Sequence, residues 1–341
     1  MFEIFNTSLY ASEAELFDYL TIQMDRYFGL FIFFFAVIGN TLNILVLSQP
    51  TLRSNPCAWL FLTSSIANLI TVLFALTTRI MAGWGTDPTD TQGWICKLRG
   101  FVLFSSRTIA FWLIALATVD RCMASSPNAA HRRMNTLRNI QLSFLLVVII
   151  SVLLYSQIFY CYEANLILTP LKCYGKSTAC RLFTDMAYGC VSILLPLFCM
   201  IVFGMRTIYH IHQVQSRVHP MHVTNADHHQ STTAGSREQS NSPWKKHDRH
   251  LFLMLIVQVI IQSVLTIPQV VAKFYISATM NDEQTPLKLS IDHFLYNLSL
   301  LLSFLANGMP FYIYTLCGGN IFRQPLLNLT NTIIALLRQR R

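Results

Sequence analysis

Two arginines inside apolar stretches are the residues best placed to do chemistry in this chain. Arg121 follows Asp120 where an apolar stretch meets a polar segment, and a neighbouring carboxylate can neutralise a guanidinium at a membrane edge. Arg107 lies fourteen residues earlier, about 21 Å along an α-helix. A charge at that depth is costly and usually faces a cavity or a partner.

Two hypotheses account for a charge at Arg107. It binds an anionic group of a ligand, such as a peptide carboxylate, or it belongs to a structural network of polar side chains. The polar groups available for such a network are Asn68, Gln262 and Gln269.

The elements that must position these arginines are seven apolar stretches. The chain has 341 residues, 53% hydrophobic and 12% charged, whereas soluble domains carry about 25% charged residues. A membrane core takes about 20 apolar residues per helix, and transmembrane strands would give shorter, alternating segments. The sequence therefore predicts an all-α membrane protein, a seven-transmembrane helix bundle. The spans cover about 27–48, 57–78, 97–119, 140–161, 186–209, 251–276 and 291–316.

The polar segments give an N-terminal tail at 1–26, the bundle at 27–316 and a C-terminal tail at 317–341. A long loop at about 210–248 has a composition that predicts disorder, and its scattered histidines lack the spacing of a metal site. In the C-terminal tail, apolar pairs alternate with polar residues after Gly318 and Gly319. This pattern predicts a short amphipathic helix at the membrane surface.

The distribution of charge predicts an orientation. Lys and Arg are more numerous in the segments that lie on the same side of the membrane as the C-terminus than in those on the side of the N-terminus. Such an excess marks the cytoplasmic side. The N-terminus is therefore predicted to be extracellular, in a plasma-membrane protein that crosses the lipid bilayer. The net charge of +9 then reflects these cytoplasmic segments and not a nucleic-acid site. Asn6 begins a sequon for glycosylation in the outer tail.

Three cysteines, Cys96, Cys173 and Cys180, fall on the predicted outer side, where oxidation is permitted. The other six lie in or next to spans, where we expect them to pack as small apolar groups. They are Cys57, Cys122, Cys161, Cys190, Cys199 and Cys317.

The ordered motifs of the spans resemble those of the rhodopsin-like (class A) G protein-coupled receptors. Asn40 and Asn68 lie 28 residues apart, and Cys96 and Arg121 lie 25 apart, as in that family. The resemblance covers all seven spans. Prolines in the fifth, sixth and seventh spans complete it, at Pro196, Pro268 and Pro310.

The resemblance implies a receptor that binds an extracellular ligand and activates a heterotrimeric G protein. Arg121, held by Asp120 at rest, would be released to contact the G protein; the alternative is an interfacial arginine whose head reaches the water. Cys96 would form a disulfide with the second outer loop. Cys173 fits the family's spacing better, and Cys180 is the alternative.

The chain also departs from the family. Asn68 stands where an acid is usual, so sodium modulation is not expected. Thr266 replaces a tryptophan two residues before Pro268, and Met309 precedes Pro310 where the family has asparagine. Either Tyr312 or Tyr314 would substitute for the tyrosine that follows this proline. The activation switch would involve Asn68, Pro268, Pro310 and Tyr314. Its contacts must therefore differ from those usual in the family.

The resemblance also narrows the ligand. Leu103 occupies the position of the aspartate of amine receptors, and Ser303 that of the retinal lysine of opsins. The short tail and the second outer loop are similar to those of neuropeptide receptors, especially invertebrate ones, so a peptide ligand is predicted. The candidate pocket residues are Leu103, Arg107, Gln269, Lys273 and Asp292. The outer charges that could contact a peptide, each more often solvated, are Arg79, Glu163, Asp185, Lys273, Asp292 and His293.

The competing class is a seven-helix transporter or channel without G-protein coupling. Transporters often show internal repeats, and ion paths need several charges within the membrane. Neither pattern is evident, since Arg107 stands almost alone in the apolar stretches. No zinc-binding His-Glu pair, phosphate loop or nucleophile elbow predicts an enzyme, and no cofactor is expected.

Overall fold

The computed structural model describes residues 2–166, 171–218, 243–279 and 285–339. Almost all of these residues are helical, and within them seven helices are long and apolar enough to cross a membrane. The predicted all-α, seven-helix bundle is therefore confirmed. We call these helices one to seven in chain order. Their apolar spans are Ser12–Leu47, Pro56–Gly83, Gly93–Ser125, Leu137–Cys161, Thr178–Ile211, Phe252–Ala278 and Pro286–Gly308.

Several of these helices are interrupted by π-helical turns or short breaks. Helix one is built from Phe2–Gln23, Met24–Phe28 and Gly29–Leu47, and helix two from Pro56–Thr71, Val72–Leu76 and Thr77–Gly83. Helix three is the single segment Gly93–Ser125, and helix four consists of Leu137–Tyr155 and Ile158–Cys161. Helix five is built from Thr178–Met186, Ala187–Leu194 and Leu195–Val218, and helix six is Pro243–Ala278. Helix seven is Pro286–Gly308 and continues as Pro310–Cys317. Two short helices lie in loops: Pro50–Arg53 between helices one and two, and Ala129–Met134 between helices three and four.

Helix one begins well before the predicted span, since its backbone is helical from Phe2 onward. No Gly or Pro occurs before Gly29, so no residue breaks the helix. Its N-terminal part packs against helix seven, where the rings of Phe17 and Phe294 lie 5.6 Å apart. Asn6 falls within this helical backbone, but its side chain lies outside the described ones. The span of 36 residues is about 54 Å long and so exceeds a membrane core of about 30 Å.

Helix three lies at the centre of the bundle and packs against helices two, four, five and six. The outward faces of the bundle carry large exposed apolar side chains, among them Leu142, Phe198 and Val264. Such faces are expected of a bundle that is surrounded by lipid. Helices one and seven approach closely at Gly308, where an added Cβ would lie 2.9 Å from that of Ala36.

A short hairpin joins helices four and five. Strand β1, Tyr162–Glu163, pairs antiparallel with β2, Tyr174–Gly175, and Tyr162 lies opposite Gly175. We call the end of the bundle that holds this hairpin and Cys96 the Cys96 end, and the opposite end the Arg121 end.

After helix seven, the helix Gly319–Gln339 occupies the position of the predicted amphipathic helix. It has 21 residues and is therefore longer than the short helix that the sequence predicted. Phe322 is buried, and its ring packs against those of Phe311 and Tyr314. This contact fixes the start of the C-terminal helix against the bundle. Most of the loop predicted at 210–248 lies outside the described residues.

Candidate functional site

A small cavity opens near the Cys96 end, between helices three, five, six and seven and the hairpin. About 30 Å³ of it is open to water, which is room for one or two molecules. Four of the five predicted pocket residues line it, namely Leu103, Arg107, Gln269 and Lys273, and Arg99 joins them. Asp292 is half-buried on helix seven and does not belong to the described wall. The aromatic residues of the wall are Phe104, Tyr162, Tyr174, Tyr188 and Tyr296.

Lys273 forms a buried ion pair with Asp185. Its Nζ lies 2.5 Å from Asp185 Oδ1, and the two side chains are only 2% and 1% exposed. The other oxygen of the carboxylate accepts hydrogen bonds from the Tyr174 hydroxyl at 2.7 Å and the Ser277 hydroxyl at 2.9 Å. Asp185 therefore connects helix five, helix six and the hairpin.

Tyr174 lies in β2, and burial raises the pKa of its phenol well above the ordinary value. The phenol therefore stays protonated and donates its hydrogen bond to Asp185 at any physiological pH. Lys273 also lies over the ring of Tyr174, with Nζ 5.4 Å from the centroid. The hairpin is thus attached to the ion pair through both the hydroxyl and the ring of one residue.

Arg107 is 1% exposed and lies between two aromatic rings. Its Cζ is 5.3 Å from the centroid of Phe304 and 5.9 Å from that of Tyr188. Its Nε and Nη2 have no hydrogen-bond partner among the described residues. The hypothesis of a structural network predicted hydrogen bonds from Arg107 to Asn68, Gln262 or Gln269. These two nitrogens make no such bond.

Two further donors in the wall of the cavity lack partners among the described residues, the Nε of Arg99 and the Nε2 of Gln269. Gln269 is fully buried, and its Oε1 accepts a hydrogen bond from Ser299 of helix seven at 2.9 Å. That bond fixes the orientation of the amide. Residues of the cavity wall therefore carry several buried N–H groups that have no acceptor among the described residues.

The expectation that the outer charges are solvated is wrong for Arg79, Asp185 and Lys273, which are all buried. Arg79 Nη2 lies 3.1 Å from Asp25 Oδ2, and Asn297 bonds both residues. The expectation that Arg107 stands almost alone among the spans is wrong as well. Arg79, Asp185 and Lys273 each lie near the end of a span, where sequence alone does not distinguish a solvated side chain from a buried one. Glu163 is exposed as expected.

At the Arg121 end, Asp120 and Arg121 form a buried ion pair. Arg121 Nη2 and Nε lie 2.8 and 3.1 Å from Asp120 Oδ2, and the residues are 1% and 6% exposed. Arg121 also donates to Asn55 Oδ1 at 3.4 Å. Asn55 caps helix two by accepting from the backbone N–H groups of Cys57 and Ala58, so the arginine contacts the start of helix two.

The two candidate tyrosines of helix seven have different environments. Tyr314 is fully buried, and its hydroxyl donates to Gln258 of helix six at 2.5 Å. Tyr312 instead stacks on Phe35 of helix one and donates to its backbone oxygen at 3.1 Å. Of these two tyrosines, only Tyr314 bonds to a side chain of helix six.

The other residues of the predicted switch region lie at different kinds of position. Asn68 is buried, and its Oδ1 has no partner among the described residues. Pro310 begins the last segment of helix seven after a break at Met309, whereas Pro268 lies inside an uninterrupted helix six.

Cys96 of helix three is bonded to Cys173, next to β2. Cys180 is bonded to Cys161, at the end of helix four. Cys161 therefore does not pack as a free apolar side chain as expected. The hairpin is covalently tied to helix three by one bond, and helix five is tied to helix four by the other.

No family model and no curated protein sequence matches this chain.

Proposed function

We propose that this chain is a rhodopsin-like G protein-coupled receptor of the plasma membrane. It binds an extracellular ligand, a peptide, at the Cys96 end and activates a heterotrimeric G protein at the Arg121 end. The N-terminus then lies outside the cell.

The observation that carries this proposal is the placement of two sites on helix three. Arg107 lines the cavity near the Cys96 end, and the buried Asp120–Arg121 pair lies fourteen residues further along. One continuous helix, Gly93–Ser125, thus carries both a residue of the proposed ligand cavity and the arginine of the proposed G-protein site. Helix six contacts both regions, through Lys273 in the cavity and through Gln258, which bonds Tyr314.

The direct test is nucleotide exchange on purified heterotrimeric G proteins with the chain reconstituted in nanodiscs. A panel of amidated and free-acid peptides serves as the source of ligand. Exchange that depends on a peptide supports the proposal. Arg121→Ala should abolish exchange without reducing peptide binding, and Arg323→Ala, an exposed arginine at the start of the C-terminal helix, is the matched control.

The transporter or channel alternative remains a separate hypothesis. Peptide-dependent uptake or ion current in proteoliposomes that lack G protein would favour it. Signalling that survives Arg121→Ala would also contradict the role that we assign to that residue.

A further inference from the structure

We infer that the cavity takes a carboxylate, the free C-terminal end of a peptide, and that Arg107 is the residue that binds it. The inference rests on the proposed function, because it names the chemical class of ligand for the same cavity. Three observations support it: the unpartnered Nε and Nη2 of Arg107, the positive charge of the cavity wall and the amide of Gln269.

The two free nitrogens of Arg107 lie on one edge of its guanidinium. Nε and Nη2 direct their N–H bonds the same way, at the spacing of the two oxygens of a carboxylate. Neither has a hydrogen-bond partner among the described residues. Arg121 shows the same edge in use within this chain, since its Nε and Nη2 both donate to Asp120.

The charge of the wall also selects an anion. Arg99, Arg107 and Lys273 line the cavity. The carboxylate of Asp185 is already bonded to Lys273, Tyr174 and Ser277. Water would satisfy the hydrogen bonds of Arg107 but not its charge, and the faces of Phe304 and Tyr188 offset only part of the loss of hydration. A bound carboxylate supplies both the hydrogen bonds and the opposite charge.

The remaining wall suits the end of a peptide. Gln269 has a free Nε2 that can donate to a backbone carbonyl or to the carboxylate. Aromatic rings provide apolar contact for a terminal side chain. The cavity has room for only one or two water molecules, so side chains of its wall must shift when the peptide end enters.

The test compares free acids with amides on the purified chain in nanodiscs without G protein. The probes are N-acetylated dipeptides that cover every pairing of the standard amino acids, each made as the free acid and as the C-terminal amide. We expect a subset of free acids to raise the unfolding temperature. The corresponding amides should bind at least tenfold more weakly. Equal shifts for acid and amide, or no shift from any free acid, octanoate included, would overturn the inference.

Variants locate the binding group. Arg107→Gln should remove the difference between acid and amide, and Arg107→Lys should retain part of it because the charge remains without the paired edge. Lys172→Gln is the control, since this outer-loop lysine has a side chain that is 68% exposed and should leave the difference unchanged. An Arg107→Gln chain that folds and keeps the full preference for the acid would also overturn the inference. The comparison on the unmodified chain decides the matter if this variant does not fold.

A second arm separates this inference from the proposed function. Octanoate and octanamide provide a carboxylate and an amide that do not come from a peptide. A response to octanoate with none to any dipeptide would support the carboxylate site and contradict the peptide part of the proposed function. Because no G protein is present, loss of coupling in Arg121→Ala leaves these binding results unaffected.

Discussion

Lys273 of helix six and Asp185 of helix five form an ion pair whose Nζ–Oδ1 distance is 2.5 Å, and both side chains are almost fully buried. Tyr174 and Ser277 complete the hydrogen bonding of the carboxylate. A buried ion pair is tolerated only where such additional bonds are made. The pair therefore holds helices five and six together at the Cys96 end, beside the cavity.

Removing one partner of this pair should destabilise the protein more than removing both charges. Asp185→Asn or Lys273→Gln alone leaves a buried, uncompensated charge and should cost about 3–5 kcal/mol. The double variant leaves no charge and retains an acceptor for Tyr174, so its cost should be clearly less than the sum of the two. Thermal unfolding of the four purified proteins in one detergent measures this coupling. Additive losses would show that the two groups are not coupled.

The sequence predicted the positions of the seven helices because lengths of about 20 apolar residues are a strong signal. It also predicted that Arg107 is buried, since this residue lies deep within such a stretch. It did not predict the pairing of Lys273 with Asp185. The two residues are 88 positions apart, and their contact depends on how helices five and six are rotated about their axes. No local pattern specifies that rotation.

The Cys161–Cys180 bond was missed for a related reason. Cys161 ends an apolar stretch, and only the hairpin that follows brings its side chain to Cys180. The N-terminal extension of helix one, in contrast, could have been found from the sequence. The first 28 residues contain no Gly or Pro, and their acidic and apolar residues are compatible with a helix.

Both disulfides should contribute to stability, and the longer loop should contribute more. The chain-entropy relation gives about 3 kcal/mol for the 19-residue separation of Cys161 and Cys180 and about 4.5 kcal/mol for the 77-residue separation of Cys96 and Cys173. Replacing both cysteines of a pair by serine avoids a free thiol. We expect the Cys96→Ser/Cys173→Ser protein to unfold at the lower temperature. Equal unfolding temperatures with and without either bond would contradict the prediction.

Gly308 should not tolerate a larger residue, because helices one and seven touch there. An alanine Cβ would lie 2.9 Å from the Cβ and 3.0 Å from the backbone Cα of Ala36, so Gly308→Ala must push the helices apart. Overpacking of this kind costs about 1–3 kcal/mol. Gly204 of helix five is the matched control, since a Cβ there meets no atom within 4 Å. Gly204→Ala should be neutral or stabilising by up to about 1 kcal/mol. Unfolding temperatures of both variants test the contrast.

Tyr314→Phe should have a larger effect than Tyr312→Phe. The first change leaves the buried Oε1 of Gln258 without its tyrosine donor, which costs about 1–3 kcal/mol. Tyr312 is only partly buried and keeps its stacking on Phe35 when the hydroxyl is removed. Under the proposed function, Tyr314→Phe should also change basal nucleotide exchange, because the bond joins helices six and seven. Equal stability of the two variants would show that the Gln258 bond is not important.

Alkaline pH should destabilise the hairpin through Tyr162. Burial raises the pKa of the Tyr162 phenol above the ordinary value of 10.0, so the folded protein keeps the proton while the unfolded chain loses it. The stabilising effect of the neutral phenol is therefore complete below pH 10. It falls as the pH rises further, by about 1.4 kcal/mol per pH unit for one group.

Tyr162→Phe should reduce this dependence when the unfolding temperature is measured between pH 9 and about pH 11. Tyr160→Phe is the control, since that residue is 73% exposed. An unchanged dependence in Tyr162→Phe would show that ionisation of other groups causes the alkaline loss.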